Sequence, residues 1–337
     1  MDHVRSAIIR TLAFQAAWGY APTRLQLAMM LDVGCVETQD ITPQQINTAV
    51  VMDELDRLIA ENIVCEQQAH VALAHFAYQI EKGRAKEFYF PRKLRRARQV
   101  ASYLSRLPWV RAVCLCNTTA LGQARDEGDL DFFVIAKAGS IWRTRFFATL
   151  PFKLLGARPT SVIARSGSDE AISGDCHATS NFARNDKPRA TDPVCLSFFV
   201  TDDSLDLSPH MLQGDDPYFR YWFLSLLPLT DDGVLKSLWD QNIKIRQRHP
   251  LAKPWMPLDG DDLLKPTKPA QQPVRSWLED TLKKAQQNKF PASIKLIANQ
   301  DTRVVVNDQC LKFHVDDKRE KYWSDYCDIC KQYGIEP

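Results

Sequence analysis

The sequence predicts an α+β protein: a mixed sheet with flanking helices, preceded by a small helical domain with a hairpin and followed by helical segments. Three observations carry this prediction. Residues 4–61 repeat apolar side chains at helical spacing behind helix-start signals, and two short apolar runs follow them. Residues 112–136 hold two further apolar runs, Ala112 to Leu115 and Phe132 to Ala136, bracketed by turn residues in the manner of buried strands. A third strand-like run, Val194 to Val200, comes after an intervening helical pattern.

Composition sets the outer bounds. A chain of 337 residues is long enough for about two or three domains. Its 45% hydrophobic and 25% charged content is that of an ordinary globular protein. A net charge of +2 gives no global argument for nucleic acid, so any basic surface must be argued locally. No apolar run approaches the length of a membrane span. The N-terminal stretch reads as a helix without a signal-peptide cleavage pattern, so a cytoplasmic location and no membrane partner are expected. The nine cysteines are scattered and read as free thiols. Cys327-x-x-Cys330 lacks the second pair that a zinc site needs.

Residues 1–80 form the first predicted domain. Val4, Ile8 and Leu12 mark one helix. Thr23-x-x-Gln26 is a capping box that opens a second. Thr42-Pro43-x-Gln45 opens a third, whose apolar face is Val51, Leu55, Leu58 and Ile59. Ile63 to Cys65 and His70 to Leu73 read as the strands of a hairpin. Three helices and a hairpin are the order of a winged helix-turn-helix, whose third helix would enter a DNA groove. Here that helix exposes Asp53, Glu54, Asp56 and Glu61 against a single Arg57, which phosphates repel. A structural role is expected for this domain, with nucleic acid kept as an alternative partner.

The second predicted domain covers residues 81–250. It opens on the densest basic cluster of the chain: Lys82, Arg84, Lys86, Arg92, Lys93, Arg95, Arg96 and Arg98. Pro91 to about Leu107 reads as a helix. The cluster is either a solvated helix face or a seat for a polyanion such as a nucleoside triphosphate or RNA. The first strand then leads to Asn117-Thr118-Thr119, and Gly128-Asp129-Leu130-Asp131 opens the second strand. Strand side chains alternate faces, so Asp129 and Asp131 point the same way. Two carboxylates on one face of a buried strand repel each other and resist burial. A bound cation removes that cost, and hard oxygen ligands favour Mg²⁺. The alternative is a strand end whose acids face solvent.

Ser140 is an N-cap candidate for the helix that follows, and the N-terminus of that helix, with Arg143, could attract an anion. Residues 157–192 are rich in small and polar residues and read as a flexible insertion. Tyr218 to Leu227 reads as an aromatic helix stopped by Pro228, and Gly233 to Ile245 as one further helix. The proline-rich residues 251–273 read as a linker. Residues 274–337 read as a C-terminal helical extension, in which Val304 to Val306 and the His314, Asp316, Asp317 group are left without a role.

The segment from Trp109 to Gly156 resembles the nucleotidyltransferase superfamily of polymerase-beta-like folds, in its minimal bacterial form. That family's pattern is a hydrophobic strand, Gly-Ser, a spacer of about ten residues, and Asp-hydrophobic-Asp-hydrophobic. Gly128-Asp129-Leu130-Asp131-Phe132 matches the acidic half, and Ala120 to Ala124 fall in the spacer. Asn117 and Thr118 stand where the glycine and serine would be. The wider layout, through IWRTRFFATL, VCLSFFVTDD and LKFHVDDKRE, is similar to a bacterial group of nucleotidyltransferase-domain proteins with an N-terminal winged-helix-like region.

The resemblance implies transfer of a nucleoside monophosphate from a nucleoside triphosphate to an acceptor that the sequence does not name. It implies Mg²⁺ on Asp129 and Asp131, in a one- or two-metal site, and phosphate contacts from Asn117, Thr118 and Arg143. It also implies a third carboxylate on a later strand. The middle of Val194 to Val200 is Ser197, so Asp202 beyond its end is the candidate. The altered Asn117-Thr118 pair and Ser197 motivate an alternative: a catalytically impaired form of the same fold that binds a nucleotide or a partner.

Overall fold

The computed structural model describes residues 2–34, 46–157, 192–255 and 277–337. The chain opens with α1 (Asp2–Trp18), α2 (Arg24–Met29) and α3 (Thr48–Ala60), then the antiparallel hairpin of β1 (Val64–Gln67) and β2 (His70–Leu73). The capping box forms as the sequence predicts. Thr23 Oγ1 accepts the Gln26 N–H, and Gln26 Oε1 accepts the Thr23 N–H at 2.8 Å. The expected Thr42-Pro43 start lies outside the described residues. The described part of the third helix begins behind Asn47, whose side-chain oxygen accepts the Val50 N–H at 3.1 Å. The acids of α3 serve the domain itself: Arg5 pairs with Glu54 and Glu61, and Arg24 with Asp56.

The chain continues through α4 (Tyr78–Glu87), α5 (Phe90–Leu104), β3 (Val110–Leu115), the short turn α6 (Asn117–Ala120), β4 (Leu130–Ala136), α7 (Ile141–Leu154) and β5 (Val194–Thr201). After these come α8 (Pro217–Leu224), β6 (Leu227–Asp231), α9 (Val234–Gln241), α10 (Ile243–Arg246), α11 (Trp277–Asn288), α12 (Ala292–Ile297), β7 (Val304–Val306), β8 (Cys310–Phe313) and α13 (Arg319–Gln332). Among the described residues, six strands form one sheet in the order β6-β3-β4-β5-β8-β7. The β4–β5 pair is parallel and its neighbours are antiparallel, so the sheet is mixed, as expected. Strand alternation divides the core between its faces. Val113, Phe132, Val134 and Phe199 pack with α5 and α7, whereas Phe133, Ile135 and Phe198 pack with α8 and α9.

Three expectations need correction. The aromatic helix ends at Leu224, and Leu227 opens β6 with Pro228 inside it. β6 is an edge strand, where one side of the backbone has no ladder partner and proline is tolerated. The helix expected over Gly233 to Ile245 breaks at Asn242. That side chain accepts the Leu207 N–H and donates to the carbonyls of Leu205 and Leu238. Residues 274–337 are more than a helical extension: β7 and β8 complete the sheet, and α13 packs Tyr326, Ile329 and Cys330 into the same core as α1. The expected insertion and linker fall largely outside the described residues. Among the described residues no helix is long and apolar enough to cross a membrane.

Candidate functional site

The turn into β4 is pinned from two sides. The Leu130 N–H donates to the Pro193 carbonyl at 2.8 Å, so β4 and β5 start level with each other. Lys93 of α5 is buried, donates to the Gly128 carbonyl, and pairs with Asp192 at 2.9 Å. Arg92 holds Asp126 at 2.8 Å and Asp192 at 3.1 Å. Leu130 and Phe132 point into the α5–α7 core. Alternation therefore puts Asp129 and Asp131 on the other face, at the sheet end where β3 stops and β4 and β5 begin.

This placement is electrostatically costly. Burial, then the neighbouring Asp131 charge, raises the pKa of Asp129 to about 6, and Lys93 offsets only part of that. Burial also raises Asp131, opposed by hydrogen bonds from Asn117 and Cys195. Asn117 Nδ2 donates to Asp131 Oδ2 at 2.8 Å, and Tyr218 Oη donates to Asn117 Oδ1 at 3.2 Å. Asn117 has φ 62°, in the left-handed region that favours glycine and that asparagine tolerates better than most residues. The backbone there is glycine-like, while the side chain fills the space beside Asp131. Thr118 follows in α6, partly exposed, with a hydroxyl that bonds no described residue.

Asn117, Thr118, Asp129 and Asp131 thus come together, and two other predicted site residues do not. Asp202 lies past the far end of β5. Its N–H donates to the Ala136 carbonyl, and its carboxylate accepts the Ala138 N–H and pairs with Arg111. The length of β4, roughly 20 Å at strand rise, separates it from Asp129. Arg143 is at that same far end, with its guanidinium 4.9 Å from the Trp109 ring centroid and bonded to Ser140 Oγ at 2.6 Å. The N-terminus of α7 already holds an anion: Glu279 of α11 accepts the N–H groups of Trp142 at 2.6 Å and Arg143 at 3.1 Å. Ser140 stands at the N-cap position and makes no side-chain cap bond.

At the implied third-acid position, Ser197 Oγ lies 3.3 Å from His314 Nε2. Burial, then the Lys312 charge, lowers the pKa of His314 to about 3, so the ring is neutral. The carboxylate that the fold does bring to this end is Asp192, which Lys93 and Arg92 neutralise. Sequence reasoning missed it because it closes a polar stretch. An Asp-Pro pair directly before an apolar run was the available signal. Lys93 was hidden among its exposed basic neighbours, although it is buried.

Comparison of the chain with protein-family models, curated proteins and solved structures gave no match.

Proposed function

We propose that this chain is a metal-dependent nucleotidyltransferase-like protein that moves a nucleoside monophosphate from a nucleoside triphosphate to an acceptor hydroxyl. The observation that carries the reading is the acid pair, two carboxylates on one face of a sheet end, one with its pKa raised to about 6. The order of α5, β3, the left-handed turn at Asn117, β4, α7 and β5 supports it. The three helices and hairpin at the N-terminus support a winged-helix-like module in a structural role.

The donor set fits Mg²⁺. Among the described residues no group of three or more His, Cys, Asp and Glu is placed to hold a metal. Mg²⁺ is commonly held by one or two carboxylates together with substrate phosphates, so Asp129 and Asp131 suffice as protein ligands. Bound with the triphosphate, the cation supplies neutralisation of phosphate charge. Asn117 orients Asp131, Lys93 fixes the Gly128–Asp129 turn, and the Thr118 hydroxyl donates to a phosphate oxygen. The acceptor oxygen bonds the α-phosphorus as the bridging α–β P–O bond breaks. Pyrophosphate leaves, and the hydroxyl proton passes to solvent water.

Incubation with labelled triphosphates, Mg²⁺ and candidate acceptors tests this. The wild type should label an acceptor and release pyrophosphate, and the Asp129→Ala/Asp131→Ala variant should do neither. Equal labelling by both proteins contradicts the reading. One observation favours a second reading, a catalytically impaired binding protein: the Asn117 amide occupies Asp131, and Ser197 with His314 replaces a third acid. It expects metal-dependent triphosphate binding without pyrophosphate, and pyrophosphate release removes it.

A further inference from the structure

β5 carries an irregularity beside the acid pair. Asp131 pairs with Cys195 and Phe133 with Phe198, so Leu196 and Ser197 together stand against Phe132 alone. One extra residue in a strand is a bulge, which re-aims the side chains next to it. Leu196 and Phe199 pack toward α5 and α7, whereas Phe198 packs toward α8. Ser197 joins Cys195 on the face that holds Asp131, and both are only half-buried.

A line of polar side chains crosses this face. The Cys195 thiol donates to the Asp131 carboxylate, and the Ser197 hydroxyl bonds the same sulfur. On its other side Ser197 Oγ lies 3.3 Å from Nε2 of His314, which is also half-buried. The backbone N–H of His314 donates to the Arg303 carbonyl at 3.0 Å, and its ring meets the Phe198 ring edge-on at 6.1 Å, so the imidazole is held in place. Ser197 thus stands one thiol away from Asp131, with an imidazole behind it. Cys195 itself is a poor nucleophile here: burial, then the Asp131 charge, pushes its thiol up and keeps it protonated. The His314 ring is uncharged, as a proton acceptor must be.

We propose that the chain transfers a nucleoside monophosphate to its own Ser197 hydroxyl, with His314 taking the proton. This rests on the nucleotidyltransferase reading and names the acceptor which that reading leaves open. Ser197 Oγ bonds the α-phosphorus as the bridging α–β P–O bond breaks. Pyrophosphate leaves with the electron pair of that bond, and the hydroxyl proton passes to His314 Nε2 and on to solvent. The product is a phosphodiester between Ser197 and the nucleoside. A hydroxyl held within the chain needs no capture from solution, so proximity favours it over a dissolved alcohol. Each chain reacts once, because the reaction consumes its own hydroxyl.

The full chain, incubated with Mg²⁺ and each common ribonucleoside triphosphate without added acceptor, tests the proposal by intact mass and peptide mapping. One nucleoside monophosphate should add per chain, at Ser197, with one pyrophosphate released. Ser197→Ala should gain none and Ser197→Thr should regain the adduct, both being folded by circular dichroism. His314→Gln should form the adduct about a hundredfold more slowly, with Mg²⁺-dependent binding of a non-hydrolysable triphosphate analogue unchanged. An adduct on His314→Gln at the wild-type rate contradicts the role of His314. An adduct at Thr118 or any residue other than Ser197 overturns the proposal, and so does an unmodified chain. If the unmodified chain releases pyrophosphate once an acceptor is added, the acid-pair reading stands and this inference alone fails. An adduct at Ser197 that forms equally on Asp129→Ala/Asp131→Ala contradicts the acid-pair reading instead.

Discussion

Asp32 and Asp129 are both acids drawn away from solvent, yet their pKa values move in opposite directions. Asp32, just after α2, accepts from Arg220 at 2.7 Å, from Arg248 at 2.8 Å and from the Gly34 N–H at 2.9 Å. Burial pushes its carboxyl up, but the Arg220 and Arg248 charges outweigh that and hold it well below the usual carboxylate range. Asp215 balances the same two arginines. Asp129 has a like-charged neighbour in Asp131 and, among the described residues, Lys93 as its counter-charge, and Lys93 is committed to Asp192. One cluster is complete in itself and ties the N-terminal core to α8. The other is short of positive charge, which is what a site that recruits a cation needs.

The largest effect should come from breaking the complete cluster. Asp32→Ala leaves Arg220 and Arg248 buried with only Asp215 between them, and should cost about 3–5 kcal/mol in urea unfolding. A loss under about 1 kcal/mol would mean that the pairs are not truly desolvated.

The incomplete cluster should show the opposite sign and a smaller size. A raised acid pKa means that the folded protein holds a proton more tightly than the unfolded chain. The ionised Asp129 therefore costs stability above about pH 6, and the cost disappears as pH falls through 6 toward the unfolded value of 3.8. Asp129→Asn should stabilise the apo protein by up to about 1 kcal/mol near neutral pH, because a half-buried carboxyl is substantially screened. Thermal melts across pH read this, and a variant that is less stable at neutral pH would refute it. Asp32 runs the other way: its contribution is present above the ordinary carboxylate range and lost as pH falls below it.

The smallest effect concerns the far end of the sheet. Glu279→Gln removes the carboxylate charge from the α7 N-terminus and should cost under about 1 kcal/mol. It should leave nucleotidyl transfer unchanged, because Glu279 meets α7 at the end remote from Asp129. A variant that folds normally but loses transfer would move the site toward Arg143.

What the sequence makes legible here is local. The Thr23 capping box, the two strands around the spacer and the shared face of Asp129 and Asp131 depend on residues a few positions apart, and each formed. Long-range partners were not legible. Pro228 looks like a helix stop until β3 is known to lie on one side of it. Glu279 reaches the α7 N-terminus from the C-terminal segment, so Ser140 looked like the cap. Asp202 was the first acid beyond the strand expected to carry the third carboxylate, but the parallel pairing of β4 and β5 places that strand end opposite the acid pair. Asn117 looked like a lost glycine, although its backbone keeps the left-handed conformation.

The most direct test of the acid pair is calorimetric titration of the full chain with a non-hydrolysable triphosphate analogue, with Mg²⁺ and with chelator. The wild type should bind the analogue only with Mg²⁺, and the Asp129→Asn/Asp131→Asn variant, folded by circular dichroism, should not bind it at all. Equal binding in chelator, or by the double variant, would contradict the assignment of Asp129 and Asp131 as a cation-dependent triphosphate site.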